Sequence, residues 1–153
     1  MYWRMTRREF YKNGRECNRQ ALKSLVDSGE VPGLLAYLNG EPVGWCSVAP
    51  REHYSSLERS RTLARVDSQP VWSIVCFVVA KSHRHKGMMA SLLEAAVEYA
   101  TQHGARIIEA YPLDPEAPGR KIGEGQGYMG IISAFRKAGF IEVARRTKAQ
   151  PVM

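Results

Sequence analysis

The sequence predicts an α/β fold of the α+β kind: one mixed, mostly antiparallel sheet with a βαβ core and flanking helices. Three observations carry this. "VWSIVCFVVA" (71–80) is a continuous apolar, β-branched run of the kind buried on both faces of a sheet. After it Met89, Leu92, Leu93, Ala96, Val97 and Ala100 recur at helical spacing, and "ARIIEAYP" (105–112) follows as a second apolar strand. Strand, helix and strand within about 40 residues make a parallel pair with a helical crossover. Third, "GLLAYLNGEPVGWCSV" sets two apolar runs around Asn39-Gly40, the dipeptide that suits a type I′ hairpin.

The other elements follow in order. "NRQALKSLVDSGE" (18–30) reads as a helix with Ala21, Leu22, Leu25 and Val26 on one face. "PREHYSSLERSRTLARVDSQP" (50–70) is polar and irregular, with a helical portion. Gly104 stops the crossover helix. "PLDPEAPGRKIGEGQGYMG" (112–130) is a long Gly/Pro loop, and loops of that length are often functional. "IISAFRKAG" (131–139) is a short helix ended by Gly139, "FIEVARR" (140–146) a last strand, and "PVM" a stub of another. No internal repeat or low-complexity tract interrupts the chain, so residues 1–153 are expected to form a single domain.

The chain's 153 residues suffice for one domain with a sizeable core, and 44% hydrophobic with 24% charged residues is the balance of a globular protein. No apolar run has the length of a membrane span. "MYWRMTRREF" lacks the apolar core and cleavage site of a signal peptide, so a cytoplasmic location is expected. Cys17, Cys46 and Cys76 are odd in number and widely spaced, which fits reduced thiols and neither a disulfide framework nor a zinc site. His83 and His85 flank Arg84 in a cationic stretch, a poor place for a divalent ion, so no metal is expected. A net charge of +7 suggests an anionic partner, either nucleic acid or a phosphorylated small molecule, with a merely solubilising basic surface as the alternative. The basic residues are spread along the chain and not gathered with aromatics into a stripe, which disfavours nucleic acid.

"KSHRHKGMM" (81–89) places Arg84, His85 and Lys86 against Gly87 where the crossover helix begins. A helix start already carries unpaired N–H groups and the positive end of a dipole, so cations there oppose the helix unless an anion binds. Gly87 lets a ligand approach the backbone, and Arg84 and Lys86 add charge. Together they make a pyrophosphate cradle that is neither GxxxxGK[ST] nor GxGxxG. A solvated basic turn is the plain alternative.

"VWSIVCFVVAKSHRHKGMMASLLEAAVEYA" resembles the acyl-CoA-binding core of the GNAT superfamily of N-acetyltransferases, in which an apolar strand with a bulge leads into a [QR]-x-x-G-x-[GA] loop and a helix. Arg84, His85, Lys86, Gly87 and Met88 fit; Met89 stands where Gly or Ala is usual. "IISAFRKAGFIEVAR" is similar to the family's fourth helix and following strand, with Phe135 in the place of the usual tyrosine. The resemblance spans about residues 33 to 146, with motif and element order in agreement. It implies acetyl-CoA as cosubstrate. The pyrophosphate would lie on the N–H groups of Arg84, His85, Lys86, Gly87, Met88, Met89 and Ala90, and the pantetheine arm would pair with the backbone of Phe77 and Val79.

Acetyl transfer to an amine needs a neutral nucleophile, a donor for the developing oxyanion, and a fate for the leaving thiolate. A backbone N–H near Val78 serves as the donor. Phe135 has no proton to give the thiolate, which leaves Tyr128 or Tyr111 as acids, or a packing role for Tyr128. Glu109, the acid inside an apolar strand, is either a base for the amine or the partner of a basic neighbour. Cys76 as an acyl carrier is disfavoured, since apolar cysteines are inert and the resemblance implies direct transfer in a ternary complex. The acceptor, a small-molecule or peptide amine, is expected to meet the N-terminal segment, residues 50–70 and the 113–130 loop. Trp3, Tyr11, Trp45, Tyr54 and Trp72 are candidate lining aromatics or core. A non-catalytic acyl-CoA-sensing or nucleic-acid-binding module is the alternative, and a homodimer stays open.

Overall fold

The structure is a computed structural model that describes residues 1–118 and 127–153. A short 3-10 turn, Tyr2–Arg4, precedes helix α1, Arg7–Asp27. Thr6 caps α1 in a reciprocal capping box with Glu9. Gly14, with φ 68° and ψ −175°, breaks α1 into two helical pieces. Strands β1 (Leu34–Leu38) and β2 (Glu41–Pro50) form the expected hairpin. Asn39 and Gly40 both have positive φ, 51° and 82°, as a type I′ turn requires.

Residues 51–70 form a 3-10 turn (Arg51–His53), one helical turn, α2 (Ser55–Glu58), and irregular chain. Then come β3 (Trp72–Val79), helix α3 (Met88–Gln102) and β4 (Ile108–Ala110). The sheet order is β1-β2-β3-β4, with two antiparallel pairs followed by a parallel one, as the βαβ reading demands. Helix α4 (Ile132–Lys137) and the hairpin of β5 (Ala144–Thr147) with β6 (Gln150–Val152) complete the chain. Met153 and Ala110 exchange backbone hydrogen bonds of 2.8 and 2.9 Å, which ties this hairpin to β4.

The two faces of the sheet carry separate cores. On one, Leu92, Leu93, Ala96 and Ala100 of α3 pack on Cys46, Val48, Ile74 and Phe77, with Phe135 of α4. On the other, Tyr54, Leu57 and Leu63 pack with Val75, Tyr111, Met129 and Val152. Three expectations shift. The first helix begins at Arg7 and not near Asn18, because the capping box starts it upstream of the apolar stripe. The strand expected over 105–112 shortens to Ile108–Ala110. The last strand starts at Ala144, because Phe140 turns back toward the core beside Phe135.

Candidate active site

Strand β3 sets the geometry. It pairs with β4 only through Trp72–Ile74, so the two parallel strands part after that point. The β2–β3 register shifts between Ser47↔Cys76 and Val48↔Ile74, which leaves Val75 as a bulge. Beyond the bulge the N–H of Ala80 donates to Val43 at 2.9 Å. Antiparallel pairs alternate between bonded and non-bonded positions. Val78 therefore turns its N–H and C=O toward Trp45 on β2, while Phe77 and Val79 turn theirs away from β2. Among the described residues no backbone group pairs with that outer side of Phe77 or Val79. The Val79 carbonyl instead accepts from Nε of Arg84 at 3.2 Å.

At the end of β3 the chain makes a 3-10 turn, Lys81–His83, and enters α3 through two left-handed residues, His85 (φ 60°) and Gly87 (φ 80°). Gly87 is the N-cap of α3 and offers no side-chain cap. A Cβ placed on it would meet nothing within 4 Å, so the space over the backbone is open. Among the described residues no acceptor takes the N–H groups of His85, Lys86, Gly87, Met88 or Met89. Of the other N–H groups expected in the cradle, that of Arg84 goes to Lys81 at 3.4 Å, and that of Ala90 to Gly87 at 2.8 Å. The side chains of Arg84, His85 and Lys86 are exposed around this turn. Met89, where a small residue is usual, packs into the α3 core. Its sulfur lies 3.5 Å from where a Cβ on Gly130 would sit, so Gly130 makes room for it.

Glu109, one of the residues around a second cavity of about 480 Å³, is held in an ion pair. It is buried and paired, with Oε2 2.9 Å from Nη1 of Arg51, a side chain with no exposure at all. Arg51 also donates to Glu58 at 2.6 Å, to the Tyr111 hydroxyl at 2.7 Å and to the Leu63 carbonyl at 2.6 Å. Tyr111 is fully buried and bonds Glu109 and Ser73, each at 2.8 Å. Burial and the neighbouring Glu109 carboxylate push its phenol up, against the pull of Arg51. Of the two readings of Glu109, pairing with a basic neighbour is the one its surroundings match. Arg51 itself gave no signal in sequence, sitting in a polar stretch with no periodicity.

Tyr128 is placed differently. It lies in the 3-10 turn Gly127–Met129, is 39% exposed, and lines a cavity of about 410 Å³. Trp45 and Ser47 of β2 and Cys76 of β3 line it from the sheet, together with Tyr2, Trp3, Arg4, Phe10, Tyr11 and Leu22 of the N-terminal segment and with Pro32 and Tyr54. Four of the five candidate lining aromatics meet here. Trp72 instead packs on Tyr99 and His103. The N-terminal segment, residues 50–70 and the 113–130 loop each reach this space, through Trp3, Tyr54 and Tyr128; residues 119–126 of that loop lie outside the described residues. Burial pushes the Cys76 thiol up, which suits inert packing better than an acyl carrier. Burial also pushes Tyr54 up to about 12, so its hydroxyl, 3.1 Å from that of Ser47, stays protonated.

Phe135 is fully buried, with ring centroids 6.0 Å from Phe77 and 5.3 Å from Phe140. A Cβ on Gly130 would come within 2.7 Å of its ring. The position of the missing tyrosine is thus closed by packing. Among the described residues no helix is long and apolar enough to cross a membrane.

The "Uncharacterized N-acetyltransferase YhfO" of Bacillus subtilis (strain 168) is 27% identical over 123 residues, covering 79% of this chain and 75% of that protein. Among solved structures, a ribosomal-protein-alanine N-acetyltransferase from Brucella melitensis superposes with a TM-score of 0.54 at 19% identity, over 90% of this chain and 74% of that one. The aminoglycoside acetyltransferase AAC(6')-Ib in complex with coenzyme A gives 0.54 at 23% identity, over the same 90% and 74%. AAC(6')-Iy bound to a bisubstrate analogue, CoA-S-monomethyl-acetylneamine, gives 0.54 at 18% identity, over 95% and 86%. These likenesses show the fold. The family model described as "Acetyltransferase (GNAT) family" matches residues 1–121, and the chain belongs to that family of acetyltransferases.

Proposed function

We propose that the chain transfers an acetyl group from acetyl-CoA to an amine by direct attack in a ternary complex. One observation carries this reading: in the chain, the unpaired outer side of Phe77 and Val79 follows directly on Cys76, which lines the aromatic cavity, and leads into the open turn at Gly87. The N–H groups from His85 to Met89 and the exposed Arg84 and Lys86 suit the pyrophosphate. Val79 suits the amides of the pantetheine arm, with Arg84 leaving its carbonyl to do so. The pairing alternation moves the oxyanion donor from Val78 to the N–H of Phe77, the next group of the free side toward the bulge. No carboxylate among the described residues that line the cavity is available as a base, so the acceptor enters as the free amine or gives its proton to water. In the reaction the amine nitrogen bonds to the acetyl carbon, the C–S bond breaks, and one amine proton ends on the sulfur. Tyr128, which lines the cavity as Cys76 does, supplies the proton to the thiolate in place of Phe135 and regains one from the water that takes the amine's. The three cysteines are free, in keeping with a reducing, cytoplasmic setting.

The test is Gly87→Glu. Space for the new side chain exists, so the protein should stay folded at a backbone cost of about 1–3 kcal/mol. The carboxylate should abolish acetyl-CoA binding measured by calorimetry, and with it thiol release. Unchanged affinity in a folded variant would overturn the cradle. Tight CoA binding by the unmodified protein with no thiol release from any amine would favour a sensor over an enzyme.

A further inference from the structure

The cavity has a chemical sign. Among the described residues that line it there is no Asp or Glu, and Arg4 is the sole charged side chain. The Arg4 side chain is 8% exposed, and it pairs with Glu30, 3.6 Å away and half in solvent. Its guanidinium lies 5.1 Å from the centre of the Tyr54 ring. Nη2 of Arg4 and Nε1 of Trp3 are buried donors with no acceptor among the described residues. A buried guanidinium whose ion partner is half in solvent and which keeps one donor unfilled is costly, and the unfilled Trp3 donor adds to that cost. Both belong to side chains that line the cavity, as do Tyr2, Phe10, Tyr11 and Trp45.

From this we infer that the acceptor is an amine that also bears a carboxylate, carried on an apolar or aromatic body: a free amino acid with a large apolar side chain, or a molecule of that shape. The inference rests on the transferase reading and extends it to the acceptor. Arg4 and Trp3 take the carboxylate, the rings take the body, and the amine points to the free side of β3 near Phe77 and Tyr128. The same surface rejects polycations, because among the described residues it offers no carboxylate to replace the water that an ammonium gives up and places a guanidinium against it.

The experiment measures thiol release from acetyl-CoA with matched pairs: phenylalanine against phenethylamine, tryptophan against tryptamine, then spermine and an aminoglycoside. The expected result is a kcat/KM at least about tenfold higher for each amino acid than for its decarboxylated partner, as for a hydrogen bond to a charged group. Spermine and the aminoglycoside should be poorer still. Arg4→Met should cut the phenylalanine-to-phenethylamine ratio by about 10- to 100-fold, and Trp3→Phe should cut it less. Arg4→Lys should recover part of the ratio. The melting shift given by CoA shows that each variant is folded, and calorimetry of phenylalanine on the CoA-bound protein reads acceptor binding without turnover. Preference for spermine or phenethylamine, an unchanged ratio in Arg4→Met, or absence of phenylalanine binding and turnover alongside turnover of another amine would overturn the inference and leave the transferase standing. CoA binding without turnover of any amine would overturn the transferase reading itself.

Discussion

The Arg51–Glu109 pair separates structural from catalytic use of a buried acid. Arg51→Met deletes a fully buried cation that serves Glu58, Glu109, Tyr111 and the Leu63 carbonyl. What remains is a Glu109 side chain 7% exposed, with the Tyr111 hydroxyl but no counter-ion. Breaking a buried pair from one side costs about 3–5 kcal/mol. For a domain of this length each kcal/mol is worth about 2–4 °C, so the melting temperature should fall by roughly 6–20 °C. Glu109→Gln is milder: Arg51 keeps Glu58, and the amide oxygen still accepts from Arg51 or Tyr111, for a loss of about 1–3 kcal/mol. The double change Arg51→Met with Glu109→Leu should recover part of the single loss, because the stranded carboxylate goes with its partner. Calorimetric melting and thiol-release kinetics on the same samples give the answer. The reasoning is refuted if Glu109→Gln melts like the parent while kcat falls by 100-fold or more, since that is how a general base behaves.

Tyr128→Phe should lower kcat by about 10²- to 10⁴-fold with little change in the acetyl-CoA KM; a loss under about threefold would make Tyr128 a packing residue. Phe135→Tyr should not raise the rate. It puts a hydroxyl into a closed aromatic cluster, and melting should show a loss of about 1–3 kcal/mol. Burial raises the Glu58 carboxyl, but hydrogen bonds from Arg65 and Arg51 outweigh it and hold the group below its ordinary 4.5. A depressed folded value adds stability above the unfolded one and loses it as pH falls through the folded value. Melting temperature should therefore drop from about pH 5 to pH 3, and Glu58→Gln should flatten that slope.

The elements that show in the sequence are those whose own periodicity or turn chemistry fixes them. The Asn39-Gly40 hairpin, the buried run of β3 and the stripe of α3 need no distant partner to be recognised, and together they place the splayed core. The start of α1 was also legible, in Thr6-Arg7-Arg8-Glu9, but a capping box before a polar run carries no apolar stripe to draw attention. The cradle stood out because a glycine among cations contradicts the ordinary rules of a helix start. The fate of Glu109 was not legible. Its partner is Arg51, 58 positions away, and only the pairing of β3 with β4 brings them together. The direction of the Val78 N–H was hidden for a similar reason, since it depends on register with β2. Trp3 and Arg4 share a short aromatic, basic stretch, yet nothing local says that their donors lack acceptors.

The cavity and the cradle come from different stretches of chain. Seven of the thirteen described residues around the cavity fall within the first 22 positions, whereas the groups assigned to acetyl-CoA fall between Phe77 and Met89. The break at Gly14 sets the piece of α1 that carries Phe10 and Tyr11 apart from the piece that carries Leu22. This division makes the N-terminal segment an exchangeable part. A relative with another sequence before β1 can inherit the same donor chemistry while presenting a different enclosure to its amine. Grafting such a segment onto residues 33–153 is a route to new acceptor preference that leaves the donor half of the reaction untouched.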